Sequence, residues 1–178
     1  MRLFKDKHIA ILEIGFGTGL NAIITALEIE KQGSIVQYTG VEKYPLKPVE
    51  VAQLDYMTAL KRGDMQSKFN LMHSADWEQD IQVSPNFTLL KQQKDFSAIT
   101  DKELYNLIYF DAFGARVQPE LWTVTVFESM FKALKKDGYL VTYCAKGSVR
   151  RAMLAVGFLV ERLPGPPGKR EMLRAKKP

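Results

Sequence analysis

Cysteine and histidine are nearly missing from this 178-residue chain, which holds one cysteine, Cys144, and two histidines, His8 and His73. A lone thiol excludes an internal disulfide and any cysteine-rich zinc site. It suits a reducing compartment, so the expected location is the cytoplasm. The two histidines stand too far apart in sequence to argue for a metal centre or a catalytic triad, and no metal is expected. No run approaches the roughly 20 apolar residues that cross a bilayer. The basic start, Met1 to Lys5, leads into an apolar stretch. Glu13 and then three glycines break that stretch without a small-residue cleavage site, so it does not read as a signal peptide. Internal repeats and low-complexity segments are absent too.

What remains is an ordinary globular composition, 46% hydrophobic and 25% charged, in a length that fits one domain. A chain of this size buries roughly two thirds of the surface it exposes when unfolded. The formal charge of +5 permits a polyanionic partner without requiring one.

Hydrophobic periodicity predicts alternating strands and helices. Strands are expected at 8–14, 35–42, 87–90, 104–110 and 139–144. Helices are expected at 20–31, from Pro48 to about Leu60, from Pro119 to Leu134 with Gly138 closing it, and over 149–156. Residues 61–86 read as short helices and loop. Residues 158–162 and 171–174 read as extended, on either side of the rigid turn Pro164 to Gly168. The expected fold is a Rossmann-like α/β architecture: a mostly parallel seven-stranded sheet, a C-terminal antiparallel hairpin, and helices on both faces.

The sharpest motif is Glu13 to Gly19 (EIGFGTG), placed after the first strand and before the first helix. Glycines there allow a tight turn and close approach to a ligand, and the helix N-terminus adds free N–H groups. A dinucleotide loop prefers G-x-G-x-x-G, whereas this one is G-x-G-x-G behind an acidic residue. S-adenosylmethionine brings no phosphate, only an amino acid tail with an ammonium and a carboxylate, which such a loop suits. Glu13 in an apolar strand is costly unless paired. Glu42 ends the second strand, where a carboxylate accepts hydrogen bonds from ribose hydroxyls. Asp95 follows the third strand and is placed for an adenine amino group; a charged surface turn with Lys91 and Lys94 accounts for it equally well.

Asp111 ends the fourth strand, so it should point at a methyl donor, hold an acceptor amine and manage its proton. The neighbouring Ala112 and Phe113 replace the Pro-Pro-aromatic sequence common in enzymes that methylate exocyclic base amines. Methylation of uridine carbon needs a cysteine on a loop, and Cys144 reads as a core residue. Basic residues gather late: Arg116, Lys146, Arg150, Lys169 and Arg170 stand beside strand ends or late loops and suit RNA phosphates. Lys176 and Lys177 read equally well as a solvated tail.

Six stretches together resemble the methyltransferase domain of the MnmC family of tRNA-modifying enzymes. They are Leu12–Asn21 (LEIGFGTGLN), Val41–Leu46 (VEKYPL), Phe110–Phe113 (FDAF), Gln118–Thr123 (QPELWT), Thr142–Arg151 (TYCAKGSVRR) and Pro164–Arg170 (PGPPGKR). The resemblance covers nearly the whole chain. It implies a class I methyltransferase that uses S-adenosylmethionine, releases S-adenosylhomocysteine, and methylates the aminomethyl group of a modified wobble uridine in tRNA. It implies that Glu13, Gly15, Gly17, Gly19 and Glu42 bind the cofactor, with Phe16, Asn21 and Asp95 beside them. Asp111 would face the substrate amine, near Phe113 and Arg116. The flavin-dependent oxidoreductase domain often fused in that family is missing here, so no flavin is expected, and a partner would supply that step. The family's segment ahead of the first strand is missing as well, and an open cleft with uncovered apolar or aromatic side chains is expected. A small-molecule amine acceptor and a non-catalytic cofactor-binding module remain the alternatives.

Overall fold

The apolar run near the start forms β1 (His8–Ile14), which lies inside an eight-stranded sheet. The computed structural model describes residues 7–114, 117–165 and 168–178. The expectations for Arg116 and for Pro166 and Pro167 fall outside the described residues. β2 (Ile35–Glu42) and β5 (Tyr105–Phe110) flank β1 in parallel register, so β1 is apolar on both faces. β4 (Phe87–Gln93) pairs with β2, and β6 (Leu134–Thr142) pairs with β5, again in parallel. β3 (Asp80–Ser84), β7 (Leu159–Pro164) and β8 (Glu171–Lys176) complete the order β3-β4-β2-β1-β5-β6-β8-β7. β8 is antiparallel to both of its neighbours, which makes the expected C-terminal hairpin.

Strand alternation divides the core into two. Ile9 and Ile11 of β1 pack with α1 (Leu20–Gln32) and α4 (Gln66–Ser74), together with Val36, Tyr38 and Leu89. Leu12 and Ile14 pack on the other face with α5 (Val124–Ala133) and α6 (Gly147–Val156), together with Phe110 and Leu140. Glu13 follows the Ile9 and Ile11 alternation and therefore points under α1. The chain runs outward from β1 to β2 and β4, then returns to β5 on the other side. That reversal opens a crevice at the carboxyl ends of β1 and β5, the place where such sheets bind ligands.

Several elements differ from their sequence-based expectation. The sheet has eight strands rather than seven, because β3 folds back on β4 through Pro85 and Asn86. Only Ile81 and Val83 mark that strand, too few for alternation to register. The helix expected from Pro48 to Leu60 is two short ones, α2 (Pro48–Val51) and α3 (Tyr56–Ala59). Bonds from Gln53 N to Glu50 O and from Leu54 N to Val51 O tighten and end the first. Thr123 splits the 119–134 helix by capping α5, its hydroxyl accepting from Val126 N at 3.5 Å. β6 begins at Leu134 rather than Tyr139, and the positive φ of Asp137 accompanies a register shift in it. β4 runs on to Gln93, which carries Lys91 into the interior at 2% exposure and out of the expected surface turn.

Candidate active site at the crevice between β1 and β5

The glycine loop is fixed from below by the ends of its neighbouring strands. Gly15 N and Phe16 N both donate to Val41 O at 3.0 Å. Gly15 has φ +88°, and a Cβ there would come within 2.9 Å of Asp111 O, so the loop rests directly on the end of β5. Gly17 N donates to Glu42 Oε2 at 3.1 Å, and Tyr44 N donates to Oε1 at 2.9 Å. The Glu42 carboxylate is thus held at the end of β2, with further lone pairs free for hydroxyl donors. Gly19 caps α1 in the left-handed region.

Phe16 touches the cleft, but its ring is a foundation. It is buried on Gly40, where a Cβ would collide with the ring, and it meets Trp77 edge-on at 6.3 Å. Its apolar body anchors the loop while its edge lines the cleft, where the cofactor contact was expected.

Glu13 is 1% exposed, and both of its oxygens have partners. Tyr38 Oη donates to Oε2 and Asn21 Nδ2 donates to Oε1, each at 2.8 Å. Burial pushes the carboxyl up to about 8; the two hydrogen bonds oppose this, while Asp111 and Glu42 reinforce it. Asn21 Nδ2 also donates to Asp111 Oδ2 at 2.8 Å, so one amide joins the carboxyls at the ends of β1 and β5. Asp111 faces the open cleft, yet the protein around it raises its pKa by desolvation, offset by Asn21 and by the Lys169 charge.

Asp95 lines the same cleft, but its oxygens are already engaged. Its Oδ1 accepts from Ser97 N and Ser97 Oγ, and its Oδ2 meets Lys43 Nζ at 2.7 Å. Those contacts hold its carboxyl well below the usual range. The contacts make a charged turn at the cleft wall, with Lys43 rather than Lys91 as the cation.

The cleft encloses about 770 Å³ between the glycine loop, Glu42, Phe96, Asp111, Phe113 and Tyr143. Tyr44 and Phe113 stand at its edge with 69% and 66% of their surface exposed. Residues 61–86 do not roof it. His73, Trp77 and Lys91 instead line a second hollow of about 400 Å³, which meets the cleft at Phe16, Gly17 and Leu46. Among the described residues no three metal-binding side chains gather.

The hairpin of β7 and β8 carries Lys169 to the cleft, where its ammonium lies 4.0 Å over the Tyr143 ring. Tyr143 Oη in turn donates to Ala112 O at 2.9 Å, fixing the segment after Asp111. Lys146 caps α6, and Arg150 lies one turn on. Among the described residues Lys146, Arg150, Lys169 and Arg170 form no ion pairs. The C-terminal cations behave otherwise: Lys176 pairs with Asp137 at 2.6 Å, and Lys177 donates to Leu134 O at 2.8 Å. That end of the chain is pinned, not a solvated tail. Cys144 is buried in the core, as expected.

Sequence reasoning missed Tyr38 and Tyr143. A signal for Tyr38 exists in the sequence: a buried glutamate demands a donor, and β2 places its residues beside β1. Nothing local marks Tyr143, which acquires its role only through the hairpin that brings Lys169 across.

A family model described as S-adenosyl-L-methionine-dependent methyltransferase matches residues 63–178, more than half of the chain. The chain is 28% identical over 169 residues to the tRNA 5-methylaminomethyl-2-thiouridine biosynthesis bifunctional protein MnmC of Leptospira interrogans. That alignment spans 92% of this chain and 26% of the relative. The protein of the same name from Hydrogenovibrio crunogenus is 28% identical over 182 residues, 96% of this chain and 26% of its own length. The chain therefore spans about a quarter of these relatives. Among solved structures, MNMC2 from Aquifex aeolicus superposes with a TM-score of 0.71 at 23% identity, over 99% of this chain and 56% of that one. The antibiotic-resistance methyltransferase Kmr does so at 0.56 and 14% identity, over 94% and 85%. Both share the fold.

Proposed function

Since the chain belongs to the family of S-adenosyl-L-methionine-dependent methyltransferases, we propose that it transfers a methyl group to the amine of an aminomethyl-uridine at the tRNA wobble position. The observation that carries this reading is that Asp111 and Phe113 share one cleft with Lys169 laid over its Tyr143 wall: a carboxylate for an amine, an exposed ring for a base, and a cation for a phosphate. The names of the curated relatives supply the acceptor.

The cleft fits the cofactor by charge. Glu42, Asp111 and Glu120 line it, and the charges of Lys43 and Asp95 cancel in a pair. Such a lining favours a ligand carrying a sulfonium and an ammonium against one carboxylate. When bound, S-adenosylmethionine supplies a methyl carbon that the amine lone pair attacks as the carbon–sulfur bond returns its electrons to sulfur. The glycine loop and Glu42 hold the amino acid and ribose ends. Asp111 accepts a hydrogen bond from the substrate nitrogen, orients its lone pair, and receives the proton that the methylated nitrogen gives up. Phe113 stacks on the base, whose extrusion from the anticodon costs little because the loop is single-stranded. Lys146, Arg150 and Arg170 draw the RNA backbone to the rim. The relatives are called bifunctional, and we assign the oxidoreductase step to protein outside these 178 residues, whether in the same polypeptide or in a partner.

The test is mass spectrometry of wobble nucleosides from cells lacking the gene. Accumulation of the unmethylated aminomethyl nucleoside is expected. An unchanged nucleoside profile overturns this acceptor and favours a small-molecule amine.

A further inference from the structure

We propose that Asn21 is a positioning residue for Asp111 and not a hydrogen-bond donor to the cofactor. An amide nitrogen has two hydrogens to give. Asn21 Nδ2 places one on Glu13 Oε1 and the other on Asp111 Oδ2, each at 2.8 Å, so neither is left for a bound molecule. Its own backbone is fixed at the second residue of α1. Glu13 is fixed in turn by β1 and by the Tyr38 hydroxyl. The Asp111 main chain is set by its N–H donating to Ile14 O at 3.0 Å, but that bond leaves the side chain free to rotate. Asn21 removes the freedom by tying Oδ2 to the rigid α1 and β1 pair.

The carboxylate is thereby held in one rotamer facing the crevice, and its charge is favoured by a donor that cannot leave. Among the described residues, the charged or titratable groups around Asp111 are Glu13 beneath it, Lys169 from the hairpin and Tyr143 after β6, with Glu42 coupled to Glu13 across the loop. Among these, Lys169 is the one cation, and it reaches Asp111 on a long side chain laid over Tyr143. Removing the Asn21 donor therefore leaves Lys169, among the described residues, to support the ionised form of Asp111.

This proposal rests on the reading of Asp111 as the group that meets the substrate nitrogen, and the experiment separates the two. Carbon-13 NMR of the Asp111 carboxyl, followed against pH in the whole chain, needs no substrate. Asn21→Leu removes the donor at similar volume, and Asn21→Asp replaces it with an acceptor at the same shape. The Asp111 midpoint is expected to rise by about one pH unit, the size of one hydrogen bond to a charged group. It should rise further in Asn21→Asp, where three carboxyls meet. In methyl-transfer assays, kcat should fall about tenfold with KM for S-adenosylmethionine changed less than about twofold, and the acid limb should move to higher pH. In an Asp111→Ala background, Asn21→Leu should cost nothing more. An unmoved Asp111 midpoint in both variants overturns the proposal, as does a loss of cofactor affinity that matches the loss in kcat. If Asn21→Leu fails to fold by thermal melting, Asn21→Asp carries the measurement. Full transfer by Asp111→Ala, together with a shifted midpoint, overturns the catalytic reading of Asp111 and leaves the positioning intact.

Discussion

Tyr38 donates its phenolic hydrogen to Glu13 Oε2 at 2.8 Å, and the pair lies wholly inside the sheet beneath α1. The groups that act on Glu13 are two neutral donors and two carboxyls, so burial dominates its titration. The folded carboxyl holds its proton up to about pH 8, whereas the unfolded one releases it near 4.5. A folded pKa raised in this way contributes stability that is complete below 4.5 and is lost as pH rises toward 8.

Glu13→Gln, which keeps the shape and removes the charge, should escape that loss. Relative to this variant, the parent chain should weaken by up to about 1.4 kcal/mol per pH unit across the window. Denaturant unfolding at pH 5 and pH 8 measures it. Parallel pH dependences for the two proteins would mean that Glu13 stays ionised and that its burial is offset elsewhere.

Cofactor binding should stabilise the chain through the loop and Glu42. At 100 times its dissociation constant, S-adenosylmethionine or S-adenosylhomocysteine adds about 2.7 kcal/mol, read as a rise in Tm, whereas NAD should add nothing. Glu42→Ala frees Gly17 N and Tyr44 N, so it should lower cofactor affinity about tenfold or more, by removing the ribose partner and loosening the loop. Calorimetric titration that finds equal affinity would remove Glu42 from the site.

Asp111→Ala should leave cofactor affinity nearly intact and cut turnover by about 100-fold, the usual scale for a positioned acid–base group. Single-turnover methyl transfer to tRNA, compared with cofactor titration of the same variant, separates the two quantities. Retained activity would make Asp111 a structural end to β5.

The cations without an ion pair should behave unlike the paired ones. Alanine at Lys146, Arg150, Lys169 and Arg170 should weaken tRNA binding and lower its salt slope by about one unit for each phosphate that is no longer neutralised. Alanine at Lys176, which pairs with Asp137, should leave the slope unchanged. Filter binding across a salt series reports both, and identical slopes for the two sets would assign all of these residues to solvation.

The strands that carry the site were legible because they are buried on both faces and read as apolar runs: β1 and β2 begin and end where expected. Their acidic residues, Glu13 and Glu42, were legible because a carboxylate closing such a run needs a partner. Between Leu60 and Phe87 the short helices were legible but β3 was not, since it has only two apolar residues and is a strand only through its pairing with β4. Asp95 is a different case: it lines the cleft, but with partners that were not foreseen. Its position after a strand suggested a ligand contact, while Ser97 and Lys43, which claim its oxygens, are a short turn and a neighbouring strand end that spacing alone does not bring together. Asn21 stood inside a recognised motif, yet its actual partners, Glu13 and Asp111, are joined only once β1 and β5 lie side by side.

The aromatic footing of the glycine loop has a spectroscopic meaning. Trp77 touches the edge of Phe16 and lies 5.0 Å from the Lys91 ammonium, whereas the other indole, Trp122, is sealed against Phe110 and Phe127 in the opposite face of the sheet. Phe16 moves only if the loop moves. The indole of Trp77 is therefore a built-in reporter of loop ordering, read by its emission after Trp122→Phe removes the second indole, whose Nε1 donates to Phe113 O at 2.9 Å and so reports on the other side of the cleft.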